Sequence, residues 1–186
     1  MYFHLTFGIV LEDDPVYKEI QQIVDDNMPL INYLNNTYHN KKETLRILSQ
    51  IIGTEIDSSV NINLPLFTDF GKHLFIGKSV FINSNVMFTD LGGITLEDHV
   101  LIGPFAKLLT VNHPIQPSQR KGLIVKSITI KRNAWIGANV TILPGVTVGE
   151  NAIVGANSLV TKDVPENTIV VGSPAQVVKQ IEEENE

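Results

Sequence analysis

No cysteine occurs among the 186 residues, which excludes a disulfide framework and a cysteine nucleophile and suits a reducing compartment. Long apolar runs are missing too, and no stretch approaches the roughly 20 residues a membrane helix needs. Positive charge is scarce, with 14 Lys and Arg against 20 Asp and Glu. The resulting net charge of −6 argues against a general nucleic-acid binder, although a few Lys or Arg could still hold the phosphates of a cofactor. The first ten residues are fairly apolar but have no cationic start and no small-residue cleavage site, and Glu12, Asp13 and Asp14 follow. No signal peptide is therefore expected, and the cytoplasm is the expected location.

What the chain does have is a period of six. Ile130, Ile136, Ile142, Val148, Val154 and Val160 lead six consecutive hexads, and four places after each stands Ala134, Val140, Val146, Ala152, Ser158 or Val164. A helix of 3.6 residues per turn cannot use such a period, whereas a three-sided solenoid can, with three hexads to a coil and each leader pointing inward. Small fourth-after residues suit the narrow corners of a prism. The fold class is thus an all-β solenoid. Imperfect hexads near Ile56 and Ile62 precede clear ones at Ile76, Ile82 and Phe88, and two extra residues at Gly92-Gly93 shift the register to Leu96, Ile102 and Leu108. About four to five coils are expected, on the order of 20 Å tall at ~4.8 Å per coil.

The pattern breaks after Leu108 and resumes at Ile130, so residues 109–129 must leave the prism as an excursion, and a loop this long is more often functional than not. Residues 1–55 read as an N-terminal segment whose helices pack on the prism. Val16, Ile20, Ile23 and Val24 follow Pro15 at helical spacing, with Asp25-Asp26-Asn27 and Pro29 ending or bending that helix. Asn40 and Glu43 resemble a capping box before Leu45, Leu48, Ile51 and Ile52, and Gly53 closes the helix. Residues 1–14 have no evident place. The prism occupies 56–172. Over 173–186, Ser173-Pro174 reads as the start of a C-terminal helix striped by Val177, Val178 and Ile181 and covering the open end, followed by an acidic tail.

Of the five histidines (His4, His39, His73, His99, His113), only His113 lies on the excursion, where an imidazole could act as a general base near neutral pH. His99 and His113 are fourteen residues apart with no third ligand near them, so no metal is expected to be required. Trp135, the only tryptophan, takes an outward place and serves either as packing or as a platform beside a ligand. Asn83, Asn85, Asp69 and Asp90 also have plain readings as corner and turn residues.

Beyond these patterns, T-D-F-G at 68–71, F-I-N-S-N-V at 81–86, L-I-G-P at 101–104, N-H-P at 112–114 and A-W-I-G at 134–137 stand in a telling order. I-L-P-G-V at 142–146, V-T-K-D-V-P at 160–165 and G-S-P-A at 172–175 complete it. Over roughly residues 16–181 the chain resembles the maltose/galactoside O-acetyltransferases of the hexapeptide-repeat acyltransferases. The resemblance implies a left-handed parallel β-helix, a homotrimer with active sites between subunits, and acetyl transfer from acetyl-CoA to a hydroxyl. It implies His113 as catalytic base, Asn83 beside the acceptor and reacting centre, and Asp69 and Asp90 as acceptor contacts. Trp135, Ala138, Ala156, Thr161 and Lys162 fall where such proteins line CoA, and Lys179 joins Lys162 as a local cation because Gln176 stands where many have arginine. Leu91 replaces a second acid and Gly122 a glutamate, departures that bear on galactoside preference. A xenobiotic acceptor and an inactive trimeric scaffold are the alternatives.

Overall fold

A computed structural model describes residues 7–182. Its body is a parallel β-solenoid of three faces. On the first face Ile62, Ile82, Ile102, Ile136, Val154 and Val170 stand directly above one another in register. On the second, Thr68, Phe88, Leu108, Ile142 and Val160 do the same. On the third, Ile76, Leu96, Ile130 and Val148 form the column, with Val164 bridging to Val148. The hexad leaders are therefore the inward columns, and from the second coil upward they are essentially sealed from solvent. The first face carries six parallel levels, more than the four to five coils expected. The imperfect repeat at Ile62 and the decayed one at Val170 both form full levels, because backbone pairing to a formed neighbour tolerates a weak side-chain pattern.

Corners follow a simple rule. After the leaders of the inner levels on the first and third faces, the residue three places on adopts left-handed backbone: Ser79, Asn85, His99, Phe105, Asn133, Asn139, Asn151 and Asn157 all have φ between 54 and 62°. Asparagine recurs because it tolerates this conformation better than other L-residues. Stacked asparagines then bond to one another, Asn133 donating to Asn151 (3.1 Å) and Asn151 to Asn167 (2.8 Å). The next residue, at the fourth-after place, is buried and fills the corner: Ala134, Val140, Ala152 and Ser158 are all within 2% of full burial.

The helices close the lower end. Helix α1 (Pro15–Asn36) starts at the Asp14 N-cap, whose carboxylate accepts from Val16 N at 2.9 Å, with Pro15 in the first turn. Of the two outcomes expected at Asp25–Pro29, an end or a bend, the helix does not end there but continues to Asn36. Asn27 is buried and donates to Phe70 O at 2.6 Å, and Leu30, Ile31 and Leu34 pack on the core beyond Pro29, which outweighs one missing ladder bond. Asn35 then clamps the first coil, donating to Leu66 O (2.8 Å) and accepting from Leu66 N (2.9 Å). Helix α2 (Lys41–Ile52) has the expected Asn40 cap, which accepts from Glu43 N at 3.0 Å, and ends at Gly53 in left-handed geometry. Leu45, Leu48, Ile51 and Ile52 cover the first coil.

At the upper end the expected C-terminal helix is absent. Thr168–Gly172 forms the last parallel strand, the chain turns at Gly172–Ala175, and Ala175–Gln180 returns antiparallel to it. The Ser173-Pro174 signal lies in this turn. Val177 and Val178 are both more than half exposed, so they never formed a single apolar stripe. β-Branched residues beside an open strand edge satisfy that edge by pairing, which a helix could not do.

The columns should dominate stability. Ile136→Ala empties a fully buried site and should cost about 2–5 kcal/mol in denaturant unfolding, whereas Val178→Ala on the exposed hairpin should change it by less than about 0.5 kcal/mol.

Candidate functional site

Coil lengths locate the site. Twenty residues separate Ile62 from Ile82 and Ile82 from Ile102, but eighteen separate Ile136 from Val154. The extra residues all fall at the corner between the second and third faces: Asp69–His73 on the first level, Asp90–Gly93 on the second. On the third level the excursion, 110–127, leaves from the same corner. Three insertions are thus stacked along one edge.

Asp90 organises that edge from inside. It is fully buried, and its Oδ1 accepts from the Thr68 hydroxyl (2.6 Å), Phe70 N (3.2 Å) and Gly71 N (3.0 Å), with His73 N 3.3 Å from Oδ2. Asp90, which the resemblance implies as an acceptor contact, is thus enclosed in the fold, its oxygens accepting from the turn one level below. Asp69 lies at the surface of the same corner, and its Oδ1 accepts from Phe70 N (2.7 Å) and Asp90 N (3.0 Å). Surrounding protein and then the Asp90 carboxyl raise the Asp69 carboxyl to about 7, even though the residue keeps an open side to solvent.

Gly92 lets the excursion sit on this corner. A Cβ there would lie 3.0 Å from Lys126 N, from Lys126 O and from the Thr110 side chain. Thr110 is buried, accepts from Gly92 N (2.8 Å), and its carbonyl receives Lys126 N (2.9 Å), closing the base of the loop. The excursion itself is a hairpin of Val111–Asn112 and Leu123–Lys126 joined through a 3₁₀ turn at Pro117–Gln119. Residues 7–10, which had no place in the sequence reading, add a third strand to it.

His113 follows the first hairpin strand directly. Its Nδ1 lies 3.0 Å from Gly122 O, and since a carbonyl only accepts, Nδ1 is the donor; in the neutral ring Nε2 is then the bare nitrogen, on an exposed side chain. The other described histidines are placed otherwise. His73 is buried against Phe70 and bonds to Leu91 O (2.6 Å), His99 is a left-handed corner, and His39 sits in the α1–α2 turn beside Tyr33. His4 lies outside the described residues. Among the described residues no three metal-binding side chains converge.

The remaining candidates lie elsewhere on the prism. Asn83 is at the opposite end of the second face, accepting from Ser84 N (2.8 Å) and Asn63 Nδ2 (3.3 Å). A strand's length, on the order of 15–20 Å, separates it from the corner that carries Asp69 and the excursion. Trp135 is half exposed in an outward column with Leu101 below and Ile153 and Ile169 above, and Lys179 pairs with Ile169 at its top. Ala138 and Ala156 stack on the corner after the first face, Asn157 N bonding to Ala138 O at 2.9 Å. Thr161 and Lys162 line a groove of about 250 Å³ with Asp163, Pro174, Gln176 and Val177. The structure brings Thr161 and Lys162 to Gln176, while Lys179 heads the Trp135 column instead.

This architecture is shared with proteins of known kind. A family model described as bacterial transferase hexapeptide (six repeats) matches residues 127–162. The galactoside O-acetyltransferase of Lactococcus lactis subsp. lactis is 33% identical over 172 residues, covering 91% of this chain and 81% of its own. The chain belongs to the hexapeptide-repeat acetyltransferases. The crystal structure of a maltose O-acetyltransferase from Clostridium difficile 630 matches this acetyltransferase with a TM-score of 0.86 at 31% identity, over 97% of this chain and 96% of that one. A hexapeptide-repeat-containing acetyltransferase from Vibrio cholerae O1 biovar eltor, complexed with acetyl coenzyme A, matches at 0.80 and 32% over 91% and 93%. The chain is accordingly an acetyl-CoA-dependent acyltransferase. Among the described residues of this acetyltransferase no helix is long and apolar enough to cross a membrane.

Sequence reasoning missed Gly122 as the partner of His113, because a backbone carbonyl has no residue signature. It also missed the burial of Asp90, whose only clue was the two-residue lengthening of its coil. The raised Asp69 carboxyl has a consequence for stability. Between about 4 and about 7 the folded acetyltransferase holds a proton there that the unfolded chain has released, so this group makes stability fall as pH rises through that window. Asp69→Asn keeps the acceptor oxygen and removes the titration. Urea midpoints measured at pH 5 and pH 8 should lie closer together in the variant than in the wild type.

Proposed function

We propose that the enzyme transfers acetyl from acetyl-CoA directly to a hydroxyl of a sugar, with His113 as general base. The observation that carries this reading is the bare Nε2 on an exposed ring whose other nitrogen is held by Gly122 O. As the hydroxyl oxygen attacks the thioester carbonyl carbon, its proton passes to Nε2, and the imidazolium keeps its Nδ1 proton on the carbonyl. Collapse of the tetrahedral intermediate expels the CoA thiolate, which takes the proton back from Nε2. No cysteine is present to form a cysteinyl acyl-enzyme. A sugar hydroxyl is favoured by the relatives, which include proteins named galactoside and maltose O-acetyltransferases.

Asn83 and His113 occupy opposite ends of one face, so a site using both is completed between copies of the chain. The outward columns support a homotrimer. Phe67, Met87, Leu101 and Trp135 are each between 39 and 49% exposed, large apolar side chains that a lone chain would leave in water. CoA then runs past Trp135, Ala138 and Ala156 towards Thr161 and Lys162, with Lys162 and Lys179 as cations for its phosphates. Asp69 borders the acceptor. No metal has a role in this scheme.

Light scattering at micromolar concentration should give three times the 20.6 kDa chain mass; a monomer would end the intersubunit arrangement. His113→Ala should lower kcat by roughly 10²–10⁴ with acetyl-CoA affinity nearly intact, and turnover near the wild-type rate would make the histidine structural. A charge-assisted contact to phosphate contributes about 1.5–3 kcal/mol, so Lys162→Ala should weaken CoA by about tenfold or more in calorimetry. An unchanged CoA affinity would remove Lys162 from the site.

A further inference from the structure

We infer that the N-terminal strand Phe7–Val10 positions His113, acting through Gly122; the inference rests on the reading of His113 as the base. The excursion cannot hold its own shape. Its two strands share only two residue pairs, Val111↔Val125 and Asn112↔Ile124, and an isolated two-stranded hairpin is marginal in water. The N-terminal strand adds four pairs to the same returning strand, from Phe7↔Lys126 to Val10↔Leu123. Most of the pairing that orders the hairpin therefore comes from a segment more than a hundred residues away in sequence.

That pairing ends on the residue that holds the imidazole. Gly122 immediately precedes the returning strand, its N–H donates to Gln119 O (2.8 Å) and its carbonyl accepts from His113 Nδ1 (3.0 Å). A Cβ on Gly122 would stand 3.1 Å from Val10 O, Leu11 Cδ2 and Gln119 O, so the N-terminal segment lies flush against this peptide and sets where its carbonyl points. Val10 anchors the strand. It is 2% exposed in a satellite core with Ile20, Phe70, Leu91 and Val125, which joins α1, both lengthened corners and the excursion, and which is separate from the prism interior. Asp14 N bonds to Leu11 O (3.0 Å) and Asp14 caps α1, so the strand continues into a fixed helix four residues later. The Glu12–Lys121 ion pair at 2.8 Å is exposed and adds little.

The Gly122 carbonyl determines which imidazole nitrogen is bare, since the tautomer follows the hydrogen bond made by the other nitrogen. Phe7–Val10 and Gly122 act through the imidazole and are positioning elements. Full-length Gly8→Pro and Gly122→Ala test this. Lys126 N bonds to Thr110 O, so Ile124 and Lys126 turn their backbone groups to the first hairpin strand, and Leu123 and Val125 turn theirs to the N-terminal strand. Gly8 pairs with Val125, is exposed and has open space where a Cβ would stand, so proline there removes pairing without emptying a core.

The readouts are the ¹⁵N spectrum of the histidine rings, with His113 assigned by its loss in His113→Ala, and steady-state kinetics. In the wild type His113 should show a protonated Nδ1 and a bare Nε2. Both variants should lose that pattern and lower kcat by roughly 10- to 100-fold, with KM for acetyl-CoA within about twofold and the main thermal transition retained. An unchanged ring spectrum in both variants would overturn the inference, as would a loss of kcat matched by equal losses in acetyl-CoA binding and melting temperature. Wild-type turnover by His113→Ala would instead overturn the role of His113 as base, and the ring spectrum would still decide whether the strand positions it.

Discussion

Every inner level of the prism is held by backbone bonds to the levels above and below it. Leu101 N bonds to Ala134 O (3.0 Å), Trp135 N to Ala152 O (2.9 Å) and Gly155 N to Val170 O (2.8 Å), so each strand is both template and product of its neighbours. This pairing allows no slip. A shift of one residue would turn an inward isoleucine outward on one face and break the asparagine stacks at the corners. Extra residues can therefore enter only where the chain turns. In this protein they enter at one corner on three successive levels, which concentrates irregular backbone, and with it the candidate chemistry, along a single edge.

That edge has an internal logic. Asp90 gathers the Thr68 hydroxyl and the amides of the lower turn, Asp69 ties the lower turn to the upper, and Thr110 joins the upper turn to the excursion. The two acids divide the work by burial: Asp90 is committed to structure, while Asp69 stays at the surface. Above them a hairpin carries His113 away from the prism and is covered on its far side by the N-terminal strand. The prism interior supplies rigidity, and the satellite core of Val10, Ile20, Phe70, Leu91 and Val125 transmits it to the hairpin.

A solenoid has two ends whose coils lack a neighbour, and this one treats them differently. Below, α2 lays Leu45, Leu48, Ile51 and Ile52 over the first coil while Asn35 of α1 satisfies both backbone groups of Leu66. Above, the last strand is paired by its own continuation, Ala175–Gln180. Helices cover apolar area and a strand covers an open hydrogen-bonding edge, so each end has the element its exposed groups require.

The sequence by itself determined what repeats. Columns, corners and the interruption after Leu108 are local regularities of six residues, and nearly every inward place is occupied by an aliphatic or aromatic side chain. The caps at Asn40 and Gly53 and the isolation of His113 on the excursion were legible for the same reason, since neighbours in sequence decide them. The tertiary structure decided whatever depends on a distant partner. Ser173-Pro174 is a sound helix start until an open strand edge lies beside it. Pro29 ends a helix unless Leu30, Ile31 and Leu34 have a core to reach. Asp90 reads as a turn acid until stacking puts it over the amides of residues 70–73. Phe7–Val10 has no pattern of its own because its register is set by Leu123–Lys126, more than a hundred residues later. Local pattern fixes conformation where the neighbours suffice, and pairing energy fixes it where they do not.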